Sequence, residues 1–471
     1  MHRARLGGHE LFVVSHKTEY GHHDETRTPL REAALAWLDA RGLIGDSRLQ
    51  IPRTNVKFLD TRSAKIEAIR NLHLDYFVDD LIEVLEDAGF PSQTHRMWFT
   101  QPPQPAVSVA HPLGYDGTAI PRQFSWRSIS AEILSELSNS DVATIIEHEW
   151  PSLVVSDVAS TDGRGNSRVF RVQTTDSTYA LKMYPDLAFD KRPRRLCEWS
   201  ALELLSRKNL PVPSPRATSE ALNWSLIEWI HGVAPDNDHK SVLEQATQFV
   251  AELLRLSRES PTGIGLATEA CLRPSAILEQ IDARLVLLRE IQDERLKKFL
   301  DEQVTPEREA RARHAKAELL SAWDQDVALD SRILSPSDFG FHNALVTDAG
   351  RLTFYDFEYF GWDDPVKLVA DFVLHPGSAM SSKAQGWWLS TMVSTFGTDR
   401  AFALRLRACL PLYALRWTLI LLNEFLPGKS RGRIFAQGIV ESQLPNIRTT
   451  QLGKASDMLH APIPDVHPSK G

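Results

Sequence analysis

The sequence predicts a multidomain protein of mixed class, an α/β domain followed by an α+β body whose strands come first and whose helices come second. Three observations carry this. Residues 9–98 alternate short apolar runs with helical periodicity. Residues 99–125 break that pattern with Pro102, Pro103, Pro105, Pro112 and Pro121, together with Gly114 and Gly117. The pattern then restarts, strand-like from Leu153 to Tyr184 and helical after Val242.

The N-terminal elements follow in order. Glu10 to Val14 is apolar and short enough for a strand, and Leu30 to Arg41 repeats apolar residues at helical spacing. Thr61 is placed to cap a helix running through Leu72. Tyr76-Phe77-Val78 is a second strand, followed by Asp79-Asp80 and another helix. The expected organisation is a domain over 1–98, a Pro-rich linker over 99–125, a small strand-rich lobe over 126–232, a helical lobe over 233–445 and a tail over 446–471. Arg289 to Leu320 is densely charged and reads as a solvated pair of amphipathic helices. Ala408 to Leu426 is the most apolar long stretch. Pro411, Arg416, Asn423 and Glu424 interrupt it, so it reads as a buried helix and not as a membrane span.

Composition narrows the function classes. The chain has 471 residues, 42% hydrophobic and 24% charged, which is ordinary for a soluble protein with more than one core. Its formal net charge of -8 and the lack of a long basic run argue against nucleic acid as a partner. Cys197, Cys271 and Cys409 are widely spaced and form no CxxC pair, so neither a disulfide framework nor a cysteine zinc site is expected, and a reducing cytoplasm fits. The basic start Met1-His2-Arg3-Ala4-Arg5 leads into no signal-peptide core.

The chemistry concentrates in four segments. In Ser335-Pro336-Ser337-Asp338-Phe339-Gly340-Phe341-His342-Asn343 an Asp precedes an Asn by five positions. That spacing suits a loop in which Asp338 accepts the proton of an acceptor hydroxyl while Asn343 turns back toward a Mg²⁺ on bound phosphates. Asp and Asn are also common loop residues, so the pair alone is weak. Leu352-Thr353-Phe354-Tyr355-Asp356-Phe357-Glu358 is a β-branched and aromatic run ending in an acidic pair, with Asp356 placed 18 residues after Asp338. Mg²⁺ takes hard oxygen ligands, so Asp356 is the first choice for its carboxylate; Glu358 either assists or holds the loop. Upstream, Lys182 sits alone in the apolar strand Thr178 to Tyr184, and Glu198 shares a helical face with Leu202 and Leu205. A buried ammonium needs a partner, which phosphate or Glu198 would supply; the alternative is a surface Lys and a surface Glu. Between two strand-like segments lies Gly163-Arg164-Gly165-Asn166-Ser167, either a plain hairpin turn or a loop whose amides approach phosphate. After a further strand comes Glu228-Trp229-Ile230-His231-Gly232.

Residues of about 150 to 440 resemble the aminoglycoside phosphotransferase and choline kinase-like family. The resemblance rests on the Gly-x-Gly-Asn loop, the Ala180-Leu181-Lys182 strand, the Glu198 helix and Leu210-Pro211-Val212-Pro213. It continues through the Glu228 to Gly232 segment, Asp338 to Asn343, and Asp356-Phe357-Glu358-Tyr359-Phe360-Gly361-Trp362-Asp363-Asp364-Pro365. It implies a two-lobed protein-kinase-like fold that uses ATP and Mg²⁺ to phosphorylate an alcohol of a small molecule. Asp338 would be the base, Lys182 the phosphate clamp held by Glu198, and Asn343 and Asp356 the metal ligands. The nucleotide would lie against Gly163, Gly165, Asn166, Ser167, Glu228 and Ile230. One departure stands out: where the family usually has His-Gly-Asp, this chain has Pro336-Ser337-Asp338. With no Ala-Pro-Glu segment after the acidic block, a protein-modifying kinase is disfavoured. The acceptor would be an aminoglycoside, a sugar or an amino alcohol, and Glu269, Glu279 and Asp282 are the acidic residues available to a cationic one. The alternative is a non-catalytic nucleotide-binding or scaffold protein.

Residues 9–98 resemble a Rossmann-like, haloacid dehalogenase-like domain. Val13-Val14-Ser15 looks like the strand ending in a phosphate-binding Ser, Lys65 matches that superfamily's Lys, and Asp79-Asp80 its acidic metal motif. The superfamily's Asp-x-Asp nucleophile is not found before Ser15, so no phosphatase activity is expected. The alternative is a phosphatase-kinase fusion truncated at its N-terminus. His16, His22 and His23 near Asp24 and Glu25 read as surface loop histidines before they read as a metal site.

Overall fold

A computed structural model describes residues 4–5, 8–21, 27–46, 50–100, 120–123, 126, 129, 133, 137–161, 167–185, 190, 192–426 and 444–466. The chain divides into two compact units. One comprises Met1–Ser160, Val172–Ser177 and Pro185–Lys191; the other comprises Thr161–Arg171, Thr178–Tyr184 and Arg192–Gly471.

In the first unit, strand β1 (Val13–His16) runs parallel to β2 (Val56–Leu59), with helix α1 (Leu30–Ala40) between them in sequence. Parallel neighbours need such a crossover, which is why apolar runs and helical periodicity alternate here. Helix α2 (Arg62–Asn71) begins where expected: the Thr61 hydroxyl accepts from the Ala64 amide at 3.1 Å. Strand β3 (Tyr76–Asp79), the short helix α3 (Ile82–Leu85), β4 (His95–Phe99) and β5 (Arg122–Gln123) complete a second parallel sheet in the order β3-β4-β5. Ile66, Ile69, Phe77, Val84, Leu85 and Phe90 form its core. Strand β5 lies within the stretch read as a linker, and pairs Arg122 with Trp98 and Gln123 with Phe99. Lys65 and Asp79 are both buried and meet at 2.5 Å, while the other Asp79 oxygen accepts from the Leu81 amide. The His16 ring bonds to the Asp60 carbonyl at 2.8 Å; His22, His23, Asp24 and Glu25 lie outside the described residues. Helix α4 (Asn139–Glu149) carries a Ser138–Asp141 capping box and precedes β6 (Val155–Ser160).

The second unit begins with strands and continues with helices, the order expected. Strand β7 spans Arg168–Thr174, of which Arg168–Arg171 fall in this unit, and β8 spans Thr178–Met183. After helix α5 (Arg194–Arg207) come β9 (Pro215–Ser219) and β10 (Trp224–Glu228), and β10 pairs antiparallel with both β8 and β9. Helices α6 (Lys240–Arg258) and α7 (Pro274–Arg289) follow. The charged stretch then folds as α8 (Glu294–Phe299), a π turn (Leu300–Val304) and α9 (Thr305–Leu319). Four short strands, β11 (Ile333–Ser335), β12 (Ala344–Val346), β13 (Leu352–Phe354) and β14 (Gly361–Asp363), pair as β11-β14 and β12-β13. These two small sheets present the Asp338 and Asp356 loops. Helices α10 (Pro365–Leu374), α11 (Ser382–Thr395), α12 (Phe402–Leu421) and α13 (Leu444–His460) complete the unit.

The core beneath those loops is aromatic. Phe339 packs at ring distances of 5.8 Å from Phe249, 4.8 Å from Phe354 and 5.0 Å from Phe372, and Phe372 stacks on Trp388 at 3.9 Å. Helix α12 is buried along most of its length, including Arg405 and Arg416, as a core helix interrupted by charges should be. Among the described residues no helix is long and apolar enough to cross a membrane.

Trp388 fixes the depth of this core, because its indole N–H also reaches the Val369 carbonyl at 3.3 Å. Trp388→Ala is expected to cost about 3–5 kcal/mol, the range for emptying a buried aromatic site. Urea unfolding would read it, and a loss below about 1 kcal/mol would contradict this packing account.

Candidate functional site

A buried lysine organises the site. Lys182 lies on β8, and burial alone would drive its ammonium toward the neutral form. The Asp356 and Glu198 carboxylates outweigh that and raise its pKa. Its Nζ donates to Glu198 Oε2 at 2.7 Å and to Asp356 Oδ1 at 2.6 Å, and stands 3.7 Å from Glu358 Oε2. The helical face expected for α5 is found: Glu198, Leu202 and Leu205 are all buried. Glu198 is saturated with donors, since Oε2 also accepts from the Tyr184 hydroxyl at 2.7 Å and Oε1 from the Phe357 amide at 3.3 Å. Burial and the Glu198 charge together push the Tyr184 phenol well up.

Glu358 holds the loop. It accepts from the Ser167 hydroxyl at 3.1 Å and from Arg194, which also donates to the Tyr359 hydroxyl at 2.6 Å. Ser167 therefore lies against the acidic block. Gly163, Gly165 and Asn166 lie outside the described residues. Glu228 ends β10; its amide donates to the Ser214 carbonyl and its carboxylate accepts from the Ser214 amide, at 2.9 and 3.0 Å. Ile230 follows two residues beyond the strand. Arg194 was not singled out from sequence. Its signal, an Arg at the start of a helix where the dipole disfavours a cation, is legible only once Glu358 is known to face it.

Asp338 and Asn343 flank the turn after β11. The Asn343 side-chain amide donates to the Asp338 carbonyl at 3.0 Å, which ties the two ends of the spacing together. Asp338 Oδ1 meets His342 Nε2 at 3.1 Å and His375 Nε2 at 3.8 Å. Burial would raise the Asp338 pKa, but the His342 hydrogen bond and the charges of His342, His375 and Lys367 hold it down at about 2. The His342 and His375 rings stack 3.5 Å apart at 9°, and Trp417 lies edge-on to His375 at 4.5 Å. His375 Nδ1 accepts from the Gly377 amide, so its ring proton sits on Nε2, toward Asp338. Sequence reasoning assigned no role to His342, His375 or Lys367. Two parallel rings this close cannot both aim an in-plane lone pair at one ion, so Asp338, His342 and His375 form a hydrogen-bonded group and not a metal trio.

The acidic block is shaped by Gly361, Asp364 and Pro365. A Cβ on Gly361 would fall 2.4 Å from the Ala267 nitrogen, so Gly lets residues 265–267 close onto β14. There the Trp362 amide donates to the Gly265 carbonyl and the Ala267 amide to the Trp362 carbonyl, at 2.9 and 3.0 Å. Asp364 and Pro365 start α10 as N-cap and first helical residue, and Arg405 clamps the Asp364 carboxylate.

The residues fit a Mg²⁺ by donor type. Asn343 offers an amide oxygen, because its nitrogen is spent on Asp338, and Asp356 offers a partly exposed carboxylate whose second oxygen is not the one Lys182 takes. The carboxylates of Glu198, Asp356 and Glu358 also converge, but around the Lys182 ammonium. The acidic residues considered for a cationic acceptor are paired: Glu269 with Arg416 and Arg284, Glu279 with Arg273, and Asp282 with Arg308.

Residues 159–383 match the family described as the phosphotransferase enzyme family. No curated protein sequence matches the chain. Among solved structures, the chain is similar to choline kinase LicA of Streptococcus pneumoniae, at 18% identity over 68% of this chain and 98% of that one, with a TM-score of 0.43. It is also similar to an ethanolamine kinase of Plasmodium vivax, at 16% identity over 72% and 95% with a TM-score of 0.46. A third is the ADP-bound aminoglycoside phosphotransferase APH(2'')-Ib, at 13% identity over 67% and 99% with a TM-score of 0.43. On that match, residues 159–383 carry a phosphotransferase enzyme domain.

Burial and the neighbouring His342 lower the His375 pKa from 6.5 to about 4, although Asp338 pulls it up. An unfolded His375 binds a proton below pH 6.5 that the folded one refuses until about pH 4. Stability should therefore fall as pH drops through that window. The urea midpoint of the wild type is expected to decline from pH 6.5 to 4 more steeply than that of His375→Gln. Parallel curves would contradict the assignment.

Proposed function

We propose that the second unit transfers the γ-phosphoryl group of ATP to a hydroxyl of a small molecule such as an aminoglycoside, a sugar or an amino alcohol. The observation that carries this reading is the buried Lys182, shared between Glu198 on α5 and Asp356 in the acidic loop. A cation so held is ready to take phosphate oxygens in place of Asp356, with Glu198 keeping its orientation. Ser167 and the residues before it would cover the phosphates, and the segment from Glu228 to Ile230 would meet the adenine. Asn343 and Asp356 would hold Mg²⁺, which when bound neutralises charge on the phosphates.

Asp338 faces the acceptor in this reading. Its carboxylate is ionised at any physiological pH, so it is a hydrogen-bond acceptor that orients the hydroxyl and takes its proton as the bond to phosphorus forms. A carboxyl this acidic is a weak base, and that suits a loose transition state in which proton transfer comes late. Catalysis would then be mostly positioning and electrostatics. We read the wide spacing of the three cysteines as fitting a reducing compartment such as the cytoplasm. For the first unit, we read the buried Lys65–Asp79 pair as the mark of a haloacid dehalogenase-like scaffold without hydrolytic activity.

The test is ADP release with Mg²⁺ across a panel of aminoglycosides, sugars and amino alcohols. Asp338→Asn is expected to lower kcat by about 10²-fold or more, with ATP affinity changed only a few-fold. Lys182→Met is expected to weaken ATP binding itself. Failure of the wild type to bind ATP with Mg²⁺ in calorimetry would overturn the reading, and binding without turnover on any acceptor would favour a scaffold.

A further inference from the structure

Ser337, the residue before Asp338, has φ of 67°, a left-handed conformation that favours glycine over any residue with a Cβ. The sequence nevertheless places a serine there, and its hydroxyl is fully used. Ser337 Oγ donates to the Thr268 carbonyl at 3.0 Å and accepts from Lys367 Nζ at 2.8 Å. The Ser337 amide donates to Ser335 Oγ at 3.1 Å, which closes the turn on itself.

Lys367 is 1% exposed and sits in the first turn of α10, again the end of a helix where a cation is disfavoured. It is held there by Asp363 at 3.2 Å and Asp371 at 3.3 Å. Burial works against its charge, but those two carboxylates more than compensate and raise its pKa. Both anchors are themselves fixed. Asp363 Oδ1 accepts the Cys271 and Asp364 amides at 2.8 and 2.9 Å, and Asp371 accepts from the Trp417 indole at 2.8 Å. The ammonium thus ties β14 and α10 to one hydroxyl of the turn that aims Asp338. The phosphoryl-transfer reading uses it only as one of the charges that keep Asp338 ionised.

We propose that Lys367 is a positioning residue, which acts through the Ser337 hydroxyl to hold the left-handed turn that points Asp338 at the acceptor. The turn is then fixed by a side-chain latch and not by backbone freedom. A glycine at 337 would relieve the φ and lose the latch. The catalytic consequence rests on the kinase reading; the mechanical one does not.

The experiment uses the full chain and compares wild type with Ser337→Gly and Ser337→Ala, which leave the Lys367–Asp363–Asp371 group intact. The first readout is amide hydrogen exchange over residues 335–343, with melting temperature as the control for folding. Both variants are expected to exchange at least tenfold faster there, with melting within a few degrees of wild type. Unchanged protection in both would overturn the latch, whatever the activity. The second readout is ADP release at saturating ATP. Both variants are expected to lose about tenfold in kcat with little change in ATP affinity. A loosened loop with full kcat, or a Ser337→Gly variant as active as wild type, would overturn the positioning role. If the wild type consumes no ATP, the kinase reading fails and hydrogen exchange still decides whether the latch exists.

Discussion

A buried ammonium cannot stand alone, and much of the second unit is arranged around that constraint. Removing Lys182 from water is tolerable only because carboxylates from a helix and from a loop meet it in the same place. Helix α5 must therefore lie with its Glu198 face toward β8, and the acidic loop must reach back to the same point. Glu198 also takes the Phe357 amide, so the carboxylate that holds the lysine fixes the backbone of the loop that supplies Asp356. Replacing such a group with packed apolar residues would often be as stable or more so. Its retention here points to function, because the arrangement leaves one charge ready to exchange partners.

The residues proposed to carry the chemistry are aimed by their apolar neighbours. Asp338 is followed by Phe339 and Asp356 by Phe357, and both phenylalanines are buried in one aromatic core with Phe249. Each carboxylate is thus the polar end of a segment whose other end is anchored. Both loops also carry a non-glycine residue with positive φ, Ser337 at 67° and Asp356 at 68°. Such conformations persist where the surroundings over-determine them. Ser337 has its two hydroxyl bonds and Asp356 its lysine, so the strain sits where the geometry must be held most firmly.

What was legible in the sequence follows from these facts. Lys182 and Glu198 stood out because each departs from its local pattern, a cation in an apolar strand and an acid on an apolar helix face, whereas Asp338, Asn343 and Asp356 stood out by their spacing and order along the chain. The strands and helices of the second unit were legible from periodicity, and the Thr61 cap in the first from residue type. The partners across the fold were not. Arg194, Lys367, His342 and His375 are ordinary in their own segments, and they gain meaning only from Glu358, Ser337 and Asp338, which other elements bring beside them. Strand β5 was hidden for a related reason: two residues in a Pro-rich stretch carry no period, and only pairing with β4 makes them a strand.

The same long-range pairing bears on the acceptor. Counted along the chain, Glu269, Glu279 and Asp282 look like anionic surface open to a cation. In the fold each faces an arginine, and the two arginines on Glu269, with a hydrogen bond from Arg416, hold its carboxyl at about 2. A cationic acceptor would have to displace a guanidinium at each of the three, with no gain in net pairing. Beside Asp338 the neighbouring rings are imidazoles stacked face to face, and burial, with His342 beside it, pushes the His375 pKa down to about 4. A neutral hydroxylated molecule meets no such competition. Under the proposed reading, such an acceptor would meet the Asp338 carboxylate and the two imidazoles beside it.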